Sequence, residues 1–449
     1  MARCHRASLL SGNTGNAWGG AVERFGDAAR RLRGARSVRE AARLAHMDPG
    51  HLSRIESGKR PPTITVAQAL DDAYAAGGEL AALVAGAREL PWKLDGRLWR
   101  PNDSERLAAT IVGQRVTAVN AVELAHQWLI SEPPQVSATR AGRRIGVAQV
   151  AEVEARVHQL RRLDDYVGGQ DTHAMVAGEL AATTALLRDA AYTEDVGKRL
   201  LVAVGELAQV AGWVTSDAGR HDEAERYYLS GMRAAHAGGD VAGAANNLSS
   251  LAYQIANIGD PRTAVTLAKS ALAGAKGAAT ATTTALLAER VAWAEARVGE
   301  VGGAERALGA VQEAYTHRHP EEDPIWVYWL DEGEIEIMEG RVWTQLRRPL
   351  RAVPILEQAT AAYGEETGRE TALYLTWLAE SLLQANEVER AASAATEAVR
   401  LGRTASSVRV DERIGALRAK LAKYQGTPEV DAFEDEVAGL PLPRRPAAP

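Results

Sequence analysis

The sequence contains a single cysteine, Cys4, among its 449 residues. A disulfide within the chain is therefore excluded, and Cys4 has no second cysteine for metal or redox chemistry. No apolar run approaches the roughly 18 residues that a membrane-spanning helix needs. The residues after Arg3 and Arg6 are too polar for the apolar stretch of a signal peptide. The composition predicts a protein of the cytoplasm without a membrane partner.

The sequence also lacks the motifs of common catalytic and cofactor sites, including H-E-x-x-H, C-x-x-C, the phosphate-binding loop and the dinucleotide fingerprint. His46 and His51 lie five residues apart in a predicted hairpin, and this pattern favours turn and surface histidines over metal ligands. Paired carboxylates such as Asp164-Asp165 fit solvated helix faces or caps better than a catalytic pair. We therefore expect a protein that is not an enzyme and needs no cofactor or metal.

The net charge of −6 is unevenly distributed along the chain. Residues 21–60 contain ten Lys and Arg and five Asp and Glu, a net charge of +5, and residues 1–20 add +2. Subtracting both from −6 leaves −13 for residues 61–449. A basic segment ahead of an acidic body fits a nucleic-acid-binding module joined to a part that does not bind nucleic acid.

Two short helices joined by a tight turn are predicted within residues 37–60. Ser37 and Glu40 have the S-x-x-E spacing of a capping box at the start of the first helix. Asp48 can cap the second helix, with Pro49 at its first position, where a missing N–H costs nothing. Gly58 has the position of a glycine that ends a helix. The segment therefore reads as a helical hairpin.

The second helix of this hairpin has one apolar and one polar face. Leu52 and Ile55 are three residues apart and share a face. Arg54 points away from them, and the cations Lys59 and Arg60 follow the end of the helix. A short, firmly positioned helix with outward cations suits insertion into the major groove of DNA.

Residues 48–60 resemble the recognition helix of the Cro and xenobiotic-response-element class of helix-turn-helix repressors. In that family a small residue of the second helix, here Ala42, packs against apolar residues of the recognition helix. The resemblance implies double-stranded DNA as a partner. By position it places base-edge contacts at Gly50, His51, Ser53 and Arg54, and phosphate contacts at Ser57, Lys59 and Arg60.

Two further family features have counterparts here. An arginine of the first helix often pairs with the glutamate of the recognition helix, which implies a pair between Arg31 and Glu56. The turn between the helices usually holds glycine, whereas this sequence has His46. Histidine tolerates a left-handed backbone better than most residues, so we expect a strained but permitted turn.

The sequence predicts an all-α chain of two structured parts. The leader, 1–20, is predicted to be flexible, and residues 21–88 should form a helix-turn-helix domain of five helices, at 21–33, 38–44, 49–57, 64–75 and 79–88. Four prolines in 89–146 indicate a linker with some helix. Residues 147–426 are predicted to be helical repeats, and 427–449 a loose tail.

The repeat prediction depends on a 40-residue period. Glycines recur at this spacing, and alanines five residues later do the same: Gly219, Gly259, Gly299 and Ala224, Ala264, Ala304. Small residues at fixed positions of successive helix pairs are typical of stacked helical hairpins. The pattern resembles a tetratricopeptide-like solenoid. Together with the first domain it resembles actinobacterial regulators of development and secondary metabolism, with 163–169 and 323–331 as shared signatures.

Aromatic residues follow the same period, with Trp213, Tyr253 and Trp293 spaced 40 residues apart. In a tetratricopeptide frame they lie on the concave face, together with Gln209, Asn246, Ser249 and Glu289. Such a face could hold a peptide, small molecule or protein ligand by aromatic contact and amide hydrogen bonds. The alternative is that the three aromatics fill the space between neighbouring hairpins.

These patterns support two hypotheses of function. The first is a sequence-specific transcriptional regulator, associated with the nucleoid, that binds DNA as a homodimer and whose repeats dimerise, sense a peptide or small-molecule ligand, or do both. The second is a protein-interaction scaffold of tetratricopeptide type with a degenerate helix-turn-helix. Arg54, Lys59 and Arg60 favour the regulator, whereas His46 and Gly50 favour the scaffold.

Overall fold

A computed structural model describes residues 25–34, 36–57, 62–74, 76, 80, 98–113, 118–139, 142–166, 169–362, 368–403 and 408–438. The regular structure of these residues is helical, and their only β interactions are isolated bridges. The chain divides into two compact units, Met1–Arg88 and Glu89–Pro449. The predicted all-α class is therefore confirmed. None of the described helices is long and apolar enough to cross a membrane.

The N-terminal unit contains four described helices: α1 (Phe25–Arg33), α2 (Val38–Leu44), α3 (Pro49–Glu56) and α4 (Ile64–Tyr74). They agree with the first four predicted helices within one residue at every end that is described. Most of the predicted fifth helix, at 79–88, lies outside the described residues, as does the predicted leader.

Side-chain caps fix where these helices begin. The amide of Glu40 donates to Ser37 Oγ at 3.2 Å, and the amide of His51 donates to Asp48 Oδ1 at 2.9 Å. Thr63 caps α4 through its hydroxyl, which accepts from the amide of Val66 at 3.3 Å. Each bond satisfies an N–H that has no partner within its own helix. The caps predicted above at Ser37 and Asp48 are therefore confirmed.

The second unit starts with four helices: α5 (Pro101–Gly113), α6 (Ala118–Ile130), α7 (Val147–Tyr166) and α8 (Gly169–Asp189). The predicted linker is corrected here, because α5 and α6 pack into the body of this unit. Leu107 and Leu124 are fully buried, and the Trp128 ring lies against Gly274. The prolines bracket helices, since Pro101 is the first residue of α5 and no interior N–H is lost there.

Five helical pairs follow. They are α9 (Glu194–Asp217) with α10 (His221–Gly238), α11 (Val241–Ile258) with α12 (Pro261–Gly274), α13 (Ala281–Val298) with α14 (Val301–Thr316), α15 (Glu332–Gln345) with α16 (Pro349–Ala362), and α17 (Gly368–Gln384) with α18 (Val388–Gly402). Two 3₁₀ turns, Pro320–Glu322 and Ile325–Val327, separate the third pair from the fourth.

The small residues that set the period have the packing role expected of them. Ala224, Ala264 and Ala304 are each completely buried where the two helices of a pair meet. Gly219 and Gly299 follow their helices with φ of 75° and 92°, a left-handed conformation that glycine adopts without strain. The predicted helical repeats are therefore present, with the same period in the first three pairs.

The first helices of neighbouring pairs contact one another, so α9, α11, α13, α15 and α17 form one layer. One apolar core includes residues of α11, α13, α15 and α17. The buried apolar residues of α9 lie in a second core, together with residues of α7 and α8. We call the side of this layer that carries Trp213, Tyr253 and Trp293 the inner face.

After the fifth pair the structure describes two further helices and a 3₁₀ turn: α19 (Val408–Leu421), Ala422–Tyr424 and α20 (Pro428–Val437). The predicted loose tail from residue 427 is corrected here, because α20 buries Val430, Phe433 and Val437 in a core shared with α18 and α19. These three residues recur at helical spacing, so they form one apolar stripe. Residues 439–449 lie outside the described residues.

Candidate DNA-binding helix and inner aromatic row

The candidate recognition helix is α3. The packing of its buried face determines which residues its other face exposes. Leu52 and Ile55 are buried against α1 and α2, where fully buried Ala42 leaves room for a close approach. His46 in the turn has a φ of 51°, so it adopts the left-handed backbone expected of it. The turn therefore keeps its geometry without glycine.

The seven predicted DNA-contact residues divide into three groups. Ser53, Arg54 and Ser57 are exposed, whereas Gly50 and His51 are half-buried. The predicted phosphate contacts Lys59 and Arg60 lie outside the described residues. The three exposed residues lie on the side that faces away from the core, so solvent reaches their side chains. Ser57 also donates from its hydroxyl to the backbone carbonyl of Arg54 at 3.2 Å.

An ion pair ties α3 to α1. Arg33 Nε donates to Glu56 Oε1 at 2.8 Å, and Glu56 is only 5% exposed. The predicted partner, Arg31, is corrected to Arg33. The reason is helix geometry: Gly26 touches the backbone of Glu56, and Arg33, seven residues later, lies two turns along the same face. Arg31 projects from a different side of α1.

On the inner face, Trp213, Tyr253 and Trp293 form a stack. The ring centroids of Trp213 and Tyr253 lie 6.0 Å apart at an interplanar angle of 25°, and those of Tyr253 and Trp293 lie 6.4 Å apart at 38°. A fourth ring, Trp377 of α17, meets Trp293 edge-on at 5.6 Å. We call these four side chains the aromatic row. Such geometries are the favoured ones for aromatic pairs.

The exposure of the side chains decreases along the aromatic row from Trp213 to Trp293. Trp213 is half-buried, Tyr253 is 9% exposed and Trp293 is 1% exposed. Trp293 also donates from Nε1 to Asn257 Oδ1 at 3.0 Å. Burial of this kind agrees with the alternative that aromatics fill space between hairpins, and only Trp213 presents much surface to solvent.

The 40-residue period alone did not show which residues of the fourth and fifth pairs occupy the positions equivalent to those of the aromatic row. Trp213, Tyr253 and Trp293 each precede the buried alanine of their pair by eleven residues. Eleven residues before the buried alanines of the fourth and fifth pairs, Ala352 and Ala391, the sequence has Arg341 and Glu380. Aligning the pairs on their alanines is the signal that finds these two charged residues.

A guanidinium covers a face of each ring in the row. The arginine Cζ lies 4.5 Å from the Tyr253 centroid for Arg290, 4.9 Å from Trp293 for Arg341, 3.6 Å from Trp377 for Arg413 and 5.3 Å from Trp213 for Arg409. Cations over aromatic faces are attracted by the electron density of the ring. The inner face therefore combines aromatic rings with guanidinium groups.

The hydroxyl of Tyr253 is the group on which three of these arginines act. Arg341 Nη2 donates to its hydroxyl at 2.7 Å. Burial alone would raise the pKa of the phenol, but Arg341, Arg409 and Arg290 more than offset burial and hold the pKa below its usual value. At this phenol the positive charge of the three arginines therefore outweighs the effect of burial.

The polar residues predicted beside the row have different partners. Gln209 accepts from Arg161 Nη1 of α7 at 2.7 Å and donates to Ser250 Oγ at 3.3 Å. Ser249 donates to the backbone carbonyl of Asn246 at 2.9 Å. Gln209 and Ser249 are therefore satisfied within the chain, and the structure does not present them as groups awaiting a ligand.

Glu289 differs from these residues. It is 3% exposed, and its Oε1 accepts from Arg290 Nη1 at 3.2 Å. Burial raises the pKa of its carboxyl to about 7, although Arg290 and Arg341 oppose this shift. At neutral pH this carboxyl is therefore protonated for part of the time.

Comparison with known proteins identifies one part of the chain. Residues 24–84 match the family model of a helix-turn-helix domain. No curated protein and no solved structure matches the chain. The N-terminal unit is therefore a helix-turn-helix domain, followed by helical repeats.

Proposed function

We propose that the protein is a sequence-specific DNA-binding regulator of transcription, with DNA bound by α3 and a ligand sensed by the helical repeats. The observation that carries the first half is the geometry of α3 within a helix-turn-helix domain. Leu52 and Ile55 anchor the helix, and Arg54 stands exposed on its opposite side. Arginine at such a position can donate two hydrogen bonds to a guanine edge.

A gel shift with DNA from upstream of the protein's own gene tests this proposal. We expect a discrete complex that survives an excess of random DNA, with an affinity that falls steeply as salt rises. A scaffold with a degenerate helix-turn-helix would instead give no complex, or one that random DNA removes equally well. Gly50, which offers no side chain for base contacts, is the residue that favours the scaffold.

We further propose that the regulator acts as a homodimer. One recognition helix contacts only a few base pairs, and two-fold pairing on adjacent half-sites is the usual way to gain specificity. Half-sites should lie about 10 base pairs apart, or a multiple of that distance. The mass of the complex on DNA and a footprint check this together, since a monomer on a single protected half-site would contradict it.

The inner face is our candidate for ligand sensing. Its supporting observation is the aromatic row with the arginines that lie over its rings, because aromatic surface and positive charge occur there together. If the two sites are coupled, the effector changes the affinity for DNA by some factor. DNA should then change the affinity for the effector by the same factor. Measuring both affinities tests whether the two sites are coupled.

A further inference from the structure

Three buried polar atoms on the inner face have no hydrogen-bond partner among the described residues. They are Arg290 Nε, Arg341 Nε and Glu289 Oε2. Their side chains are 6%, 8% and 3% exposed, respectively. Buried polar atoms are nearly always hydrogen-bonded, because leaving one unpaired costs about 1–3 kcal/mol. Three such atoms in adjoining side chains indicate a place built for a polar ligand.

The two arginines converge on one phenol. Arg290 Cζ lies 4.5 Å and Arg341 Cζ 5.7 Å from the centroid of Tyr253. Each uses an Nη atom inside the protein, Arg290 toward Glu289 and Arg341 toward the Tyr253 hydroxyl. The Nε edges remain, and guanidinium edges are the groups with which arginine binds carboxylate and phosphate oxygens.

Neighbouring carboxylates balance the charge of only two of the four arginines that lie over the aromatic row. Asp217 pairs with Arg409 at 2.8 Å, and Glu380 pairs with Arg413 at 2.7 Å. Glu289, the carboxylate beside Arg290, is partly protonated at neutral pH for the reason given above. Positive charge therefore remains around Tyr253, and an anion would relieve it.

The aromatic row argues against a neutral apolar ligand. Guanidinium groups already cover its ring faces, so an apolar molecule stacked there would displace cation–π contacts worth about 0.5–2 kcal/mol each. An anion instead adds to these contacts, because it binds the edges of the same guanidinium groups. The chemistry of the site thus selects for negative charge.

We propose that Arg290 and Arg341 bind the oxyanion group of a small ligand, a carboxylate or a phosphate, beside Tyr253 and Glu289. The proposal deepens the proposed function, because this ligand would be the effector sensed by the repeats. Glu289 limits the affinity when ionised, since it competes for Arg290, and can donate to the anion when protonated.

The test uses the full-length protein without DNA. Inorganic phosphate and citrate are titrated separately at constant ionic strength, with chloride as the balancing anion. Binding is followed by tryptophan fluorescence, because Trp293 lies within the site, and by thermal unfolding. We expect a saturable fluorescence change and a rise in melting temperature for at least one anion. The anion that binds more tightly shows whether the group recognised is phosphate or carboxylate.

Variants locate the binding. Arg290→Gln and Arg341→Gln should each raise the dissociation constant at least about tenfold. Arg351→Gln is the matched control, because the Arg351 guanidinium also covers a tryptophan, Trp343 at 4.5 Å, but is exposed and pairs with Glu305. It should leave anion affinity unchanged. Equal affinity in wild type and both inner-face variants would overturn the proposal.

Glu289→Gln keeps the test decisive even if the arginine variants do not fold. This change removes a competing charge and should tighten anion binding, whereas a purely structural glutamate would give weaker binding or none. Sulfate, whose charge is constant near neutral pH, should bind wild type more weakly as pH rises through about 7, and this trend should be lost in the variant. Arg290, Arg341 and Glu334 are the charged groups that act on Glu289.

The anion titrations and the gel shift together distinguish failure of this site from failure of the proposed function. Saturable anion binding with unchanged affinity for the upstream DNA would support the site and contradict its role as effector site. Absence of a saturable response to phosphate, citrate and sulfate, together with specific DNA binding in the gel shift, would reject the site and leave the regulator intact.

Discussion

Arg409 of α19 donates to Asp217 of α9 at 2.8 Å, although 192 residues separate the two in sequence. The same guanidinium lies over the Trp213 ring, at 5.3 Å from its centroid. The layer of first helices therefore curls until α19, beyond the fifth pair, reaches the first. This curvature also explains how Arg341 of α15 reaches the Tyr253 hydroxyl of α11 past the intervening α13.

We expect Asp217→Asn to loosen α19 without unfolding the protein. The pair is partly exposed, at 32% and 16% for the two side chains, so its contribution to global stability should be at most about 1 kcal/mol. Amides of α19 should exchange faster, because opening this helix no longer breaks an ion pair. Hydrogen exchange measures this, with Glu305→Gln, which removes the exposed Arg351–Glu305 pair, as control. Unchanged protection of α19 would show that the contact does not hold the helix.

Trp293→Ala and Trp213→Ala should differ in their effect on stability. Trp293 is 1% exposed and hydrogen-bonded, so its truncation should cost about 3–5 kcal/mol of unfolding free energy. Trp213 is half-buried at the end of the row, and its truncation should cost roughly half as much. Thermal unfolding compares the two. Similar losses would mean that Trp213 is as much a core residue as Trp293.

Arg33→Ala should destabilise the helix-turn-helix domain, whereas Arg31→Ala should have little effect. Removing Arg33 leaves the buried Glu56 carboxylate without its 2.8 Å partner, at a cost of about 1–3 kcal/mol. Arg31 is exposed on another side of α1. Hydrogen exchange of α1–α4 amides in the full-length protein distinguishes the two. Greater exchange in Arg31→Ala than in Arg33→Ala would restore the pairing predicted from sequence.

The helix-turn-helix was predictable because its determinants are local. Caps such as Asp48, the spacing of Leu52 and Ile55, and His46 in the turn act within a few residues of one another. The Arg33–Glu56 pair was not, because the choice between Arg31 and Arg33 depends on how α1 rotates against α3. The spacing of residues within α1 does not specify how α1 is rotated against α3.

The repeats were predictable where glycine and alanine mark the period. In the fourth and fifth pairs the left-handed residue after the first helix is Arg347 or Asn386, with φ of 56° and 64°, so the glycine signal disappears there. Alignment of the pairs on their alanines finds Arg341 but does not show that Arg341 contacts Tyr253. Arg341 and Arg409 approach the phenol only through the curvature of the whole layer, which no short pattern encodes.

Arg54→Ala and Lys59→Ala should weaken DNA binding in different ways. If Arg54 binds a guanine edge, its removal should cost roughly 1–3 kcal/mol at the preferred site and little on random DNA. Lys59→Ala should weaken binding to all sequences and reduce the slope of affinity against salt by about one phosphate contact. Binding to specific and random duplexes at several salt concentrations measures both. Equal losses on both duplexes for Arg54→Ala would exclude it as a base contact.

Glu289 should make the protein less stable as pH rises from about 4.5 to about 7. Its pKa is raised from 4.5 to about 7 in the folded protein, chiefly by burial and further by Glu334, while Arg290 and Arg341 oppose the shift. The folded state therefore binds more protons than the unfolded state between these values, and the free energy of unfolding falls across this range. Glu225, also raised to about 7 by burial, should add a second contribution of the same sign. Unfolding of wild type and Glu289→Gln at pH 5 and pH 8 checks this. The variant should lose less stability between the two pH values, by roughly 1–3 kcal/mol, and an equal loss in both proteins would show that Glu289 stays ionised.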